Sequence, residues 1–297
     1  MATLMTALLQ TLFFIPLTIG VYLSYRILAV TDLTVDATFV LGAAVFARLI
    51  TLGFNQPTSI IVAIVAGALI GLLVAIMQHV VKINSLIASI LAVFMLYSIN
   101  FQIMQKPNIS LLDTHTTLGQ LQIANNTMLL IIMLSIIAVL ILMLCIFLYS
   151  RAGLLLRAYG SNIKLLRSIG KSPLLFLIIG LSLSNALAAF CGVINAQING
   201  YADLNMGMGM ALTAIGSVVI GQHLMQKLFY KKNKFNPFID CLSCFLGTYL
   251  YFTLVNYFLL IGINPVNLKL VLGLVLILFL GTAKYSRHRE LYEQHDS

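Results

Sequence analysis

Residues 128–149 read Met128-Leu-Leu-Ile-Ile-Met-Leu-Ser-Ile-Ile-Ala-Val-Leu-Ile-Leu-Met-Leu-Cys-Ile-Phe-Leu-Tyr149, without one charged side chain. Coiled as a helix, the run would be about 33 Å long, enough to cross the roughly 30 Å of a bilayer's hydrocarbon. The residues that follow turn basic at once, with Arg151, Arg157, Lys164, Arg167 and Lys171. An apolar run closed by a positive loop is the pattern of a transmembrane helix whose end faces the cytoplasm. The whole chain repeats it. Hydrophobic residues make up 61% of the 297 and charged ones only 8%, against about 25% in soluble domains. So few charges cannot cover a water-facing surface, and lipid is the solvent that tolerates the rest. The net charge of +9 sits in short runs between apolar stretches, which points to topology and anionic headgroups and excludes nucleic acid as a partner.

The fold class that follows is all-α and polytopic, with nine expected spans. They lie at about 5–25, 37–53, 58–79, 85–104, 128–149, 174–196, 204–222, 238–260 and 266–283. The first lacks a basic leader and a small-residue cleavage site, so it reads as a span and not as a cleaved signal. Nine alternating spans place every basic residue except Arg48, Lys106 and Lys269 on one face. That face is then cytoplasmic and includes the C-terminus, with the N-terminus outside.

A faint internal repeat accompanies this pattern. Thr31-Asp32-Leu33-Thr34-Val35-Asp36-Ala37-Thr38-Phe39 opens the second expected span, and Ala202-Asp203-Leu204-Asn205-Met206-Gly207-Met208-Gly209-Met210 opens the seventh. The two would enter the bilayer from opposite sides, making the repeat inverted, as in transporters whose pathway lies between repeats. Asp32 and Asp36, four apart, would share a helical face, and the intervening Thr34 and following Thr38 add hydroxyls. They are either an unwound helix start facing a water-filled pathway or plain N-terminal caps. Asp203, among Asn195, Gln197, Asn199 and Asn205, is either a vestibule lining or a capped outer loop. The Met206–Met210 stretch permits close approach or an unwound turn, with ordinary core packing as its alternative. Asp36, Thr38, Asn100, Asn185 and Asp203 are the residues expected to line the pathway.

In the loop 151–172, Gly160 and Ser161-Asn162 supply a turn and a helix cap. Ile163 to Ile169 then reads as a short basic amphipathic helix closed by Gly170 and followed by Pro173. Such a helix can lie on anionic lipid or dock a cytoplasmic partner through apolar teeth. The cysteines at 145, 191, 241 and 244 read as buried hydrophobes, since Cys241 and Cys244 have no second ligand pair. Histidines at 79, 115, 223, 288 and 295 show no metal-ligand spacing within a span, which argues against a metal site and against an integral membrane enzyme.

The pattern Arg157-Ala158-x-Gly160-x-Asn162, followed by Arg167-x-x-Gly170, resembles the coupling loop of ABC-importer permeases for ribose and branched-chain amino acids. Asp32-Leu33-Thr34-Val35-Asp36 resembles their Asp-Leu-Ser-Val-Gly/Asp segment, and Gly200–Gly221, ending Val218-Val219-Ile220-Gly221, resembles their second-half motif. Lys82–Leu91, Tyr97–Asn100 and Lys106-Pro107-Asn108 are most similar to the branch near tryptophan- and tyrosine-type permeases. The resemblance covers roughly residues 10–225, and the basic loop 227–237 departs from it. It implies a permease domain over 1–285, with a first repeat at about 5–104, the coupling loop at 151–172, a second repeat at about 174–283, and a cytoplasmic tail at 286–297. It also implies a bacterial inner-membrane protein that pairs as a dimer. A cytoplasmic ATP-binding-cassette ATPase would dock on Arg157, Gly160, Asn162, Leu166, Arg167, Ile169 and Gly170. An extracytoplasmic binding protein would deliver a small solute, expected to be an amino acid. The permease would hold no cofactor, since the ATPase binds ATP, and the chain has no Gly-x-x-x-x-Gly-Lys-Ser/Thr loop of its own. The competing reading is an ion- or proton-coupled secondary transporter with Asp32, Asp36 or Asp203 as its coupling carboxylate.

Overall fold

The computed structural model describes residues 2–112, 114, 116–124, 126–228 and 236–264, and single positions 267, 270, 273, 274 and 277. Helix α1 (Ala2–Val21) runs on through a π-helical turn, Tyr22–Ile27. Then come α2 (Thr34–Thr51), α3 (Gln56–His79), α4 (Ser85–Met104), β1 (Asn108–Ser110), α5 (Thr117–Ala124) and α6 (Asn126–Tyr149). The second part holds α7 (Arg151–Ser161), α8 (Ile163–Ser168), α9 (Pro173–Asn199), β2 (Tyr201–Asp203), α10 (Met210–Leu228) and α11 (Pro237–Leu260). Boundaries follow local chemistry. Asn84 caps α4 by accepting from Leu86 N at 3.0 Å, prolines open α3, α9 and α11, and left-handed Gly200 ends α9.

Among the described residues, seven helices are long and apolar enough to cross a membrane. The chain is an all-α, multi-pass membrane protein. Two of the nine expected spans differ. The segment 204–222 does not form one helix, because Leu204–Gly209 turns, with Gly209 left-handed, and α10 starts only at Met210. Its apolar part, Met210–Met225, is about 24 Å long, short of the hydrocarbon thickness. The expected span 266–283, most of the basic loop 227–237 and the tail 286–297 lie mainly or wholly outside the described residues. The polar connector 105–127 is more structured than its composition suggests. It contributes β1 and α5, and β1 pairs antiparallel with β2, Ile109 opposite Ala202.

The chain divides into two compact units, Leu12–Ile215 and Met1–Thr11 with Gly216–Ser297, the boundaries falling inside α1 and α10. In the larger unit α9 is the central helix. Ser184 Oγ donates to Gly20 O at 2.7 Å and the Cys191 thiol to Phe13 O at 3.2 Å, so α1 runs antiparallel to α9. On α3, Gly71 faces Leu181 and Gly67 faces Asn185 and Ala189, again antiparallel. Contacts of Thr38 with Asn185 and of Gly42 with Ala189 set α2 running the same way as α9. A Cβ at Gly42, Gly71 or Gly192 would overlap the facing backbone. Small residues therefore bring these helices to backbone contact, which is what packs helices tightly in lipid. In the smaller unit α10 and α11 cross with Gly221 against the Ser243 carbonyl and Gly247 against that of Ser217. Asn256 Nδ2 donates to Gln10 Oε1 at 2.7 Å.

Candidate translocation site and coupling loop

Between the π-helical turn and α2 lies a six-residue break, Leu28–Leu33, in which Ala29 is left-handed at φ 55°. It delivers α2 to an unusual depth. The first turn of α2 meets α9 at Asn185, twelve residues past Pro173, so it begins about 18 Å along the roughly 40 Å axis of α9. Four polar side chains gather there. Asn185 Nδ2 donates to Asp32 Oδ2 at 2.8 Å and to Leu181 O at 3.0 Å. Asn185 Oδ1 accepts from Thr38 Oγ1 at 2.7 Å and lies 3.2 Å from Thr34 Oγ1. Asp32 Oδ1 accepts from Thr34 N at 2.9 Å and from the Thr34 hydroxyl. Each hydroxyl has one proton, so this pattern places the Asn185 amide nitrogen toward Asp32 and its oxygen toward Thr38. Asp32 is 3% exposed, and the groups that hold it are neutral.

Asp36 points the other way. Its carboxylate accepts from Gly209 N at 3.3 Å and from Ala211 N, the free amides at the start of α10. A carboxylate at a helix N-terminus is well placed against the helix dipole. A Cβ on Gly207 would overlap the Asp36 carbonyl, so the glycine permits the approach. The two stretches aligned as a repeat, 31–39 and 202–210, thus meet in space at Asp36.

The other expected pathway residues divide. Asn100 on α4 is 2% exposed and donates from Nδ2 to Ala37 O at 3.1 Å. Its Oδ1 is buried with no hydrogen-bond partner among the described residues. Asp203 is not part of the cluster. It lies in β2, accepting from Asn205 N at 2.7 Å and Asn108 Nδ2 at 3.3 Å, which matches the capped-loop alternative. Thr38, Asn185, Asp36 and Asn100 are therefore brought together and Asp203 is set apart. Asp32 and Thr34 join the cluster although they were not among the five expected linings. The available signal was their place in the polar run Asp32–Thr38, with Thr34 four residues before Thr38.

The coupling loop is two helices. Ser150 caps α7 by accepting from Gly153 N at 3.4 Å, and Gly160 lies within α7 instead of forming a turn. α7 continues helical through it because Gly160 is packed backbone to backbone, as a Cβ there would overlap the Ile27 carbonyl. Asn162, at φ −158°, separates the helices and caps α8, accepting from Lys164 N at 3.0 Å and Leu165 N at 3.3 Å. Gly170, at φ 69°, closes α8 as expected, with Lys171 N bonded to Leu166 O at 2.9 Å. Leu166 is wholly buried, whereas Ile163, Leu165 and Ile169 are 39%, 49% and 51% exposed. Lys164 and Arg167 are exposed beside them, and Arg157 is half-buried, Nε 3.5 Å from Gly153 O. Among the described residues no group of histidine, cysteine and carboxylate side chains could hold a metal.

Comparison with known proteins agrees with this architecture. The sequence model of a family described as the permease component of branched-chain amino acid transport systems matches residues 3–280. An uncharacterised protein of Rickettsia prowazekii (strain Madrid E) is 49% identical over 284 residues, covering 96% of this chain and 99% of that one. A tyrosine transport system permease protein of Clostridioides difficile (strain R20291) is 30% identical over 283 residues, covering 95% of this chain and 92% of that one. No solved structure matches. With nearly the whole chain matched by the family's sequence model and by a 30% identical permease, the protein belongs to the family of permease components of branched-chain amino acid transport systems.

Proposed function

We propose that this chain is the membrane subunit of an ATP-driven importer that passes an amino acid, tyrosine or one with a similar aromatic side chain, across a bacterial inner membrane. The observation that carries the reading is α8. It is anchored by Leu166 while Ile163, Leu165 and Ile169 project outward between basic residues. Three large apolar side chains flanked by Lys164 and Arg167 on a capped helix fit the groove of a separate cytoplasmic ATPase. Arg157, Gly160, Asn162 and Gly170 shape that element rather than supply the teeth. ATP would be bound by the ATPase, a binding protein outside would deliver the solute, and two permease chains would form the pathway. The basic loops and the C-terminus would face the cytoplasm. The aromatic preference comes from the name of the Clostridioides difficile relative.

In this reading Asp36, Thr38, Asn185 and Asn100 belong to the pathway, where a solute needs weak contacts at mid-membrane. The unpartnered Oδ1 of Asn100 suits a transient hydrogen-bond donor such as a solute ammonium. Asp203 would contribute at the outer loop. The test is to replace Ile163, Leu165 and Ile169 together by Asp. Membrane insertion should persist and ATPase association should be lost, whereas normal association removes the docking assignment. The ion-coupled reading has one observation in its favour, the buried Asp32 carboxylate with neutral partners. Uptake of labelled tyrosine that a protonophore abolishes while ATP remains high would favour that reading. Uptake that follows ATP alone would favour the importer.

A further inference from the structure

We propose that Gly160 is a positioning residue that carries movement of the coupling loop to the mid-membrane cluster, through the Ile27 carbonyl and the break that follows it. The proposal rests on the importer reading for the source of the movement, and on geometry for its route.

The route is built from backbone contacts. A Cβ on Gly160 would overlap the carbonyl oxygen of Ile27 and lie 3.0 Å from the carbonyl carbons of Ile27 and Leu28. No side chain cushions that contact. Close-packed contacts of this kind pass displacement on instead of absorbing it. The element they press on is already irregular. Tyr22–Ile27 is π-helical, Leu28 N bonds to Leu23 O at 3.0 Å, Val30 N bonds to Ser24 O at 2.9 Å, and Ala29 is left-handed. Single π-turns within α-helices recur at functional sites. Asp32, which holds Asn185, lies only four positions after Leu28, and Asp36, which holds the start of α10, lies four positions further on. One short stretch of chain thus touches the coupling loop at one end and both polar contacts of the repeats at the other.

The covalent link from α8 into α9 is softer. From α8 the chain reaches α9 through Ile169–Ser172, which is exposed, and nothing lies within 4 Å of a Cβ placed on Gly170. A push there meets open space. By contrast α7 and α8 are joined at the Asn162 cap, two residues beyond Gly160. Displacement of α8 therefore reaches Ile27 through α7, alongside the direct packing of α7 and α8 on α9.

The experiment uses the full chain in lipid nanodiscs, with Gly160→Ala compared with Ser161→Ala on the exposed neighbour. Amide hydrogen exchange of a peptide covering 27–36 is measured first without any ATPase. Gly160→Ala should raise it at least about tenfold while exchange in α3 and α4 rises less than about threefold, and Ser161→Ala should leave it as in the wild type. With the chain reconstituted instead in sealed liposomes together with an ATP-binding-cassette ATPase and a binding protein from the same organism, the Gly160 variant should still bind the ATPase and hydrolyse ATP, yet take up labelled tyrosine at a tenth of the wild-type rate or less per ATP. Wild-type exchange together with wild-type uptake per ATP would overturn the proposal. If Gly160→Ala does not insert, Asn162→Ala is used, which loosens α8 from α7 without touching Ile27. Its exchange at 27–36 should stay normal and its uptake per ATP should fall, and unchanged uptake overturns the route. A wild-type chain that binds no ATPase would refute the importer reading alone, because the first exchange measurement scores the Gly160 contact without a partner.

Discussion

The break at 28–36 and the loop at 150–172 both interrupt long apolar helices, but they are held in opposite ways. The loop's capping hydrogen bonds are local, although Gly160 packs against Ile27 across 133 positions. Ser150 caps its own helix, Asn162 caps the next, and Gly170 closes it, each through bonds to residues within five positions. The break is tied across the molecule. Asp32 is held by Asn185, and Asp36 holds Gly209 and Ala211, at separations of 153, 173 and 175 residues. Local ties let a surface element form and move as a unit. Distant ties at mid-membrane can form only after α9 and α10 are in place, so they report the assembled fold. In the importer reading proposed above, the difference would suit a loop that meets a partner and a site set by the whole bundle.

That contrast breaks first if distant ties prove dispensable. The largest effect is expected for Gly192→Leu, since even a Cβ there overlaps the Phe39 carbonyl. Helices α2 and α9 could not both keep their places, and overpacking of this kind costs about 3 kcal/mol or more when backbone is the obstacle. The measurement is the yield of monodisperse protein in detergent, expected to collapse. Asn185→Leu comes next. It keeps the volume but leaves the buried Asp32 carboxylate without its amide donor, a loss of about 2–3 kcal/mol. Thermal unfolding in nanodiscs reads it, and a shift no larger than that of a loop-cap variant would sink the distinction drawn above.

What the sequence revealed follows the same division. Apolar run lengths placed the helices at 58–79, 85–104, 128–149, 174–196 and 238–260 close to their observed bounds, because lipid demands length and composition and little else. Asn162 and Gly170 were legible because capping is written in adjacent residues. Gly160 was misread as a turn, since nothing near it in the chain announces Ile27, 133 positions earlier. The partnership of Thr38 with Asn185, and that of Asp36 with the start of α10, were equally out of reach. Each residue was picked as polar among apolar neighbours, which shows that it needs a partner but not which one. Asp203 passed the same test and found its partners in its own loop and in Asn108, so polarity alone could not tell a distant partner from a near one.

A moderate effect is expected for Asn162→Ala. Losing a cap costs about 1 kcal/mol, and here it should fall on α8 alone. Amide exchange within Ile163–Ser168 should rise about fivefold while the global unfolding temperature stays put. A drop in global stability comparable to that of Asn185→Leu would show that the loop is integral to the bundle and erase the local-versus-distant contrast.

The smallest effect sharpens the comparison from the other side. Arg48 Nη2 donates to Gln105 Oε1 at 2.9 Å across 57 residues, yet the pair is exposed. Distance along the chain would make it resemble the Asp32 tie, whereas exposure makes it resemble a surface contact. If desolvation is what gives the mid-membrane bonds their weight, Arg48→Ala should change stability by no more than about 0.5 kcal/mol, because water replaces the lost partner. Thermal unfolding of this variant beside Asn185→Leu separates the two causes. A large loss at Arg48 would mean that long-range connection alone stabilises the bundle. A negligible one leaves burial at the depth of Asn185 as the reason those bonds matter.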